Sequence, residues 1–140
     1  MRWLLLRPEP PEQVLEGMRA AGADITRVHV GFAGHAEVPR WLSAADVAFA
    51  PYRGTPSSAC ISPMKIGEYW ANGLPILMTD LVADDHRLLR RGIGGSVHGP
   101  ALEGLDDALL VMENIVMDPG HRQAVAELAR QYKSLELARE

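Results

Sequence analysis

Apolar and polar positions along this chain fall into short blocks whose spacing switches repeatedly between a strand period and a helix period. Residues 3–6 (WLLL) form an apolar run stopped by Pro8, which predicts a strand near a sheet edge. Pro10 and Pro11 sit where a first helical turn tolerates proline, and Glu9 and Glu12 suit the positive end of a helix dipole. Val14, Met18 and Ala21 then recur at helical spacing until Gly22 ends the helix. Residues 27–33 (RVHVGFA) alternate and are rich in β-branched side chains, a second strand. A short helix over 37–45 places Val38, Trp41 and Leu42 on one face, and residues 46–50 (DVAFA) form a third strand stopped by Pro51. A Gly/Pro/Ser loop at 51–62 leads into a helix over 63–72 with Gly73 as its C′ residue. A strand at 74–79, a helix at 84–91 and a short strand at 96–98 follow. Leu102, Leu105, Leu109, Met112 and Val116 mark an amphipathic helix broken by Asp118-Pro119-Gly120, and Val125, Leu128, Tyr132 and Leu135 mark a last helix over about 121–140.

Strands that alternate with helices predict an α/β architecture: a doubly wound parallel sheet, Rossmann-like, with helices on both faces and one domain over 1–140. Ligands of such sheets bind at the carboxyl ends of the strands. The loops that fall there are 34–37, 51–62 and 80–84.

Composition narrows the function classes. The chain has 140 residues, 47% hydrophobic and 23% charged, in the range of ordinary folded proteins. A net charge of -4 disfavours nucleic acid as a partner, because its binders carry a basic face. The longest apolar run is five residues, 108–112, against the roughly 20 that a membrane span needs. The apolar stretch at 3–6 is also too short for a signal-peptide core of about 7–15 residues. A single cysteine, Cys60, allows no internal disulfide and agrees with a cytoplasmic location. With no base identifiable beside it, Cys60 reads as a small buried hydrophobe.

No zinc spacing joins His29, His35, His86, His98 and His121, and no metal site is expected. Nucleophile-elbow and phosphate-loop motifs are absent from the sequence. Gly92, Gly94 and Gly95 follow a helix and open a strand, the reverse of a dinucleotide fingerprint, so they read as a helix stop and a tight turn. Residues 86–91 (HRLLRR) gather three arginines, read as a solvated helix end, with a membrane surface or an anionic ligand as the alternative.

Residues 57–79 (SSACISPMKIGEYWANGLPILMT) are the most informative stretch. Ser62 is a good N-cap and Pro63 a good first helical residue. The free N–H groups near Met64 and Lys65 would open at the sheet's carboxyl edge, where a helix N-terminus favours phosphate. Lys65 adds a cation, and Glu68, three residues on, shares its helix face. A carboxylate there is placed to accept hydrogen bonds from a ribose diol. From spacing alone, a solvated Lys65–Glu68 pair on a plain helix is an equal alternative.

The segment SPMKIGEYWANGLPIL resembles the S-P-x-K-x-x-E-Y-x-A-x-G-x-P-[IV] signature of GT-B fold retaining glycosyltransferases of family 4. The upstream stretch VGFAGHAEVPRWLSAADVAFAPYRG and the tail from 92 onward resemble the same family, so the likeness covers nearly the whole chain. It implies the C-terminal, donor-binding half of a metal-independent enzyme that transfers a sugar from a nucleoside diphosphate sugar, a UDP- or GDP-sugar, to an acceptor with retention. Glu68 matches the second glutamate of the family's E-x7-E motif, which holds the ribose. Ser62, Pro63, Met64 and Lys65 match the turn that cradles the diphosphate and sugar, and Gly34 and His35 fall in the loop that meets the base. Arg53 is assigned to phosphate by its position in the loop, not by a motif.

Cys60 stands where the motif's first glutamate would stand, and the strand at 3–6 corresponds to the family's second strand. The acceptor-binding N-terminal domain, or a partner chain, is therefore an expected partner. The chain alone is expected to show negligible transfer, with no catalytic residue identifiable. The competing expectation is a non-catalytic interaction module or split subunit that pairs with its own copy or another chain through the sheet edge at 3–6. Location is expected to be cytoplasmic or peripheral at a membrane.

Overall fold

A computed structural model describes residues 1–53, 55–61 and 64–133. Backbone contacts divide the chain into two compact units, Met1–Trp41 and Leu42–Glu140. Among the described residues, all strand pairs are parallel and helices separate the strands, so the fold is mixed α/β of the Rossmann-like kind. The strands stand in two hydrogen-bonded groups, two and three strands wide, where the sequence pattern suggested one sheet. Periodicity reports which residues are strands but not which strands share hydrogen bonds.

In the first unit, β1 (Trp3–Leu6) pairs with β2 (Val28–Gly31), in the register Trp3 to Val28 and Leu6 to Gly31. The crossover between them is α1 (Pro11–Ala20), which opens on Pro11 as its composition predicts. Gly31 leaves room for Trp41, whose ring would lie 3.4 Å from a Cβ there. Trp41 also stacks on His29, with ring centroids 5.9 Å apart. A single 3-10 turn, His35–Glu37, then leads into α2 (Val38–Leu42).

In the second unit, β4 (Ile76–Thr79) lies between β3 (Ala48–Ala50) and β5 (Gly95–His98). All four β4 residues are buried, as a strand covered on both faces requires. Ile76 and Met78 point to one face, with Ala48 and Ala50 of the neighbouring strand. There they meet Ile66 and Trp70 of α3 (Met64–Ala71) and Val125 of α6 (His121–Lys133). Leu77 points to the other face and meets Ala108 and Met112 of α5 (Leu105–Met117). The short α4 (His86–Leu89) seats Leu89 in the first of these clusters. α6 is described to Lys133; the expected continuation to 140 lies outside the described residues.

Three glycine positions are dictated by packing. Gly73, at φ +71°, is the left-handed stop of α3, and a Cβ there would stand 2.6 Å from the Arg122 carbonyl. At the start of β5, a Cβ on Gly94 would collide with Leu128 and the Trp70 indole, and one on Gly95 would lie 2.0 Å from the Ile76 carbonyl. The cluster at 92–95 follows α4 and opens β5 as its position implied, and at Gly95 it also permits a close strand approach that the sequence reading did not anticipate.

Candidate functional site

The segment after β3 meets the end of β4 and the loop that follows it. The chain leaves β3 through Pro51, and the Tyr52 N–H at once donates to Thr79 Oγ1 at 2.9 Å, at the last residue of β4. It then winds into a 3-10 turn, Pro56–Cys60, where the sequence pattern suggested only loop. Pro56 at the first helical position, with Thr55 as the residue before it, was the signal for that turn. Ser58 in this turn is buried, at 8% exposed. Cys60 is exposed, which corrects the expectation of a buried thiol: the turn faces inward through Ser58, and Cys60 is its outer end.

α3 holds Met64, Lys65 and Glu68, three of the residues singled out in the sequence. Ile66 and Trp70, four residues apart, are both fully buried and fasten one stripe of the helix to the sheet. The opposite side is thereby left open to solvent. Met64 and Lys65 are exposed there, and Glu68 is half-buried and outside both core clusters. Among the described residues, Lys65 and Glu68 form no ion pair with each other or with any other side chain. The simple solvated pair that the spacing allowed is therefore not formed. Only the Glu68 main chain is engaged, its carbonyl accepting from the Asn72 N–H at 3.2 Å and from Asn72 Nδ2 at 2.8 Å. Arg53 is likewise exposed, with no ion pair among the described residues.

Two tyrosines pack against the first core cluster, Tyr69 on this helix and Tyr52 in the loop after β3. Burial pushes the Tyr69 phenol above its ordinary pKa, and the nearby Tyr52 and the Glu68 charge push it further. Burial also raises Tyr52, with the Asp85 carboxylate adding to it. Both phenols therefore stay protonated through neutral pH, as hydrogen-bond donors rather than bases. Asp85, 7% exposed, is held by the Lys133 ammonium of α6 at 2.7 Å.

Of the residues singled out in the sequence, Arg53, Met64, Lys65 and Glu68 lie in the second unit around the loop after β3 and the start of α3. Gly34 and His35 belong to the first unit, after β2. There the Gly34 N–H donates to Glu37 Oε2 at 3.1 Å, and His35 is exposed. Ser62 and Pro63 lie outside the described residues. The arginine cluster of 86–91 is largely neutralised by neighbours. Arg90 makes a forked pair with Asp80 at 2.5–3.0 Å, and Arg87 faces Asp84 at 3.5 Å. A solvated helix end is what this geometry describes. Sequence reasoning missed Ser58, Thr79, Asp80 and Asp85, because each is recruited by a partner that only the fold brings near.

The arrangement can attract an anion to the first turn of α3, through helix N–H groups and the Lys65 ammonium. It also offers a carboxylate one turn further in as an acceptor for hydroxyl groups. Among the described residues, no group of three or more His, Cys, Asp or Glu side chains is placed to hold a metal ion. No helix of the described residues is long and apolar enough to cross a membrane.

Residues 7–117 match the model of the family described as glycosyl transferases group 1, and the chain belongs to that family. No curated protein and no solved structure matches it.

Proposed function

We propose that this chain binds the donor of a glycosyltransferase, a nucleoside diphosphate sugar, at the carboxyl edge of β3 and β4. The observation that carries this is the pair Lys65 and Glu68: opposite charges on one face of α3, neither spent on an ion pair among the described residues. In this reading the diphosphate sits at the first turn of α3 near Lys65, with Arg53 as a further cation. Glu68 accepts hydrogen bonds from the ribose. The donor is a UDP- or GDP-sugar, and transfer to the acceptor proceeds with retention. The acceptor is held by a second domain or a partner chain, because half of a cleft neither orients an acceptor nor excludes water. The chain by itself therefore binds donor but transfers it negligibly.

A thermal-shift titration with UDP, GDP and ADP tests this. A ligand at about 100 times its Kd stabilises by roughly 2.7 kcal/mol, which moves the midpoint by several degrees. The expected result is a shift with one nucleotide that disappears in Glu68→Ala and weakens in Lys65→Ala. Equal shifts in wild type and Glu68→Ala would remove the ribose role of that carboxylate.

A further inference from the structure

The loop after β4 is bent in an unusual way for its residues. Leu81 and Ala83 both adopt left-handed backbone, at φ 61° and 54°, although neither is glycine. Side chains with a Cβ resist that conformation, and it persists only where the surroundings over-determine it. The surroundings here are explicit. Val82, between the two, is fully buried. The Leu81 N–H donates to Asp80 Oδ1 at 2.8 Å, and Asp80 is itself gripped by the Arg90 fork. The Ala83 carbonyl accepts from His86 Nδ1 at 2.5 Å.

What the bend presents is the Ala83 N–H, which donates to the Ser58 carbonyl at 3.1 Å in the 3-10 turn after β3. Ser58 in turn reaches back along its own loop. Its single hydroxyl proton goes to the Arg53 carbonyl at 2.7 Å. With that proton committed, the 2.8 Å contact between Thr55 Oγ1 and Ser58 Oγ must have Thr55 as the donor. The Thr55 N–H closes the arrangement, shared between the Arg53 carbonyl at 2.9 Å and Ser58 Oγ at 3.3 Å.

We propose that Ser58, held from the far side by the bent Leu81–Ala83 backbone, is a positioning residue for Arg53. It fixes the main chain at Arg53, so that this cation meets the diphosphate of the donor without a search through loop conformations. Ser58 touches no ligand itself; it acts through Arg53. The inference rests on the donor-binding reading above and adds to it the residue that orders the cation.

The test is a double-mutant cycle on the full chain, Ser58→Ala and Arg53→Ala singly and together. The probes are whichever of UDP, GDP and ADP binds best and the matching nucleoside without phosphates. Amide hydrogen exchange at Thr55 and Ala83 is read on the same proteins. Ser58→Ala should raise exchange at Thr55 and weaken the diphosphate by about five- to tenfold while leaving the nucleoside unchanged. In the Arg53→Ala background it should have no further effect on affinity. Unchanged exchange at Thr55 in Ser58→Ala overturns the proposal. So does an affinity loss of the same size with and without Arg53. If the wild-type chain binds none of the three nucleotides, the donor-binding reading itself fails. That outcome is separate from a wild type that binds and a Ser58→Ala variant that is indistinguishable from it.

Discussion

Replacing Trp70 with phenylalanine isolates the contact that seats α3 on the sheet. Trp70 has no exposed surface, and its indole N–H donates to the Gly94 carbonyl at 2.9 Å. That carbonyl also accepts from the Ile76 N–H at 3.0 Å, so it is not orphaned when the indole leaves. The hydrogen-bond loss is therefore near the ordinary net value of about 1 kcal/mol rather than the full cost of an unsatisfied buried group. The smaller ring leaves a void of roughly 40 Å³ among Leu128 and its neighbours, which at about 24 cal/mol per Å³ adds roughly 1 kcal/mol. Together the expected destabilisation is about 2–3 kcal/mol. Urea denaturation followed by far-UV circular dichroism should show the midpoint falling by about 1 M or more, with the slope unchanged. A loss below about 0.5 kcal/mol would refute the reasoning, because it would mean that the indole neither fills that space nor holds the Gly94 carbonyl.

Other perturbations follow from particular contacts. Lys133→Met leaves the Asp85 carboxylate, 7% exposed, without its cation, and should cost about 3 kcal/mol in a denaturant titration. Adding Asp85→Asn should recover most of that loss. Gly17→Ala, in mid-helix with open space around the new methyl, should raise stability by about 0.5–1 kcal/mol, whereas Gly95→Ala, whose Cβ meets the β4 backbone, should not yield soluble folded protein. Burial raises the Asp80 pKa, but the Arg90 hydrogen bonds and charge and the Leu81 N–H outweigh it, so the carboxyl is held below its usual range. A group lowered on folding contributes above its unfolded pKa and loses that contribution as pH falls through the folded value. The stability difference between wild type and Arg90→Gln, from urea midpoints, should therefore be present at pH 7 and shrink below about pH 4. A difference that grows on acidification would contradict the assignment.

Much of this fold was legible along the chain because its signals are local. The β4 residues Ile76–Thr79 and the strand at Val28–Gly31 carry apolar or alternating patterns, and Gly73 stops α3 where only a left-handed residue fits. The turn at Pro56–Cys60 was equally local, marked by Pro56, but its polar composition resembled a loop. What the pattern did not carry is partnership. The division into two hydrogen-bonded strand groups depends on which edges meet. Asp85 finds Lys133 from 48 residues away, and Asp80 finds Arg90 across a bent loop whose left-handed Leu81 and Ala83 no propensity scale would suggest. Of the candidate site, the helix period alone put Lys65 and Glu68 on one face of α3, and their assignment to a ligand came from the family resemblance of the surrounding motif. The devices that hold the neighbouring loop were not legible, because Ser58 and Ala83 are ordinary small residues until the fold brings their backbones together.

The most direct test of donor binding at α3 is an amide-resolved NMR titration of the whole chain with UDP and with GDP. The account predicts saturable shifts that centre on the Met64–Glu68 amides and on Arg53, with one of the two nucleotides preferred. Shifts centred on other elements, or none up to millimolar nucleotide, would contradict it.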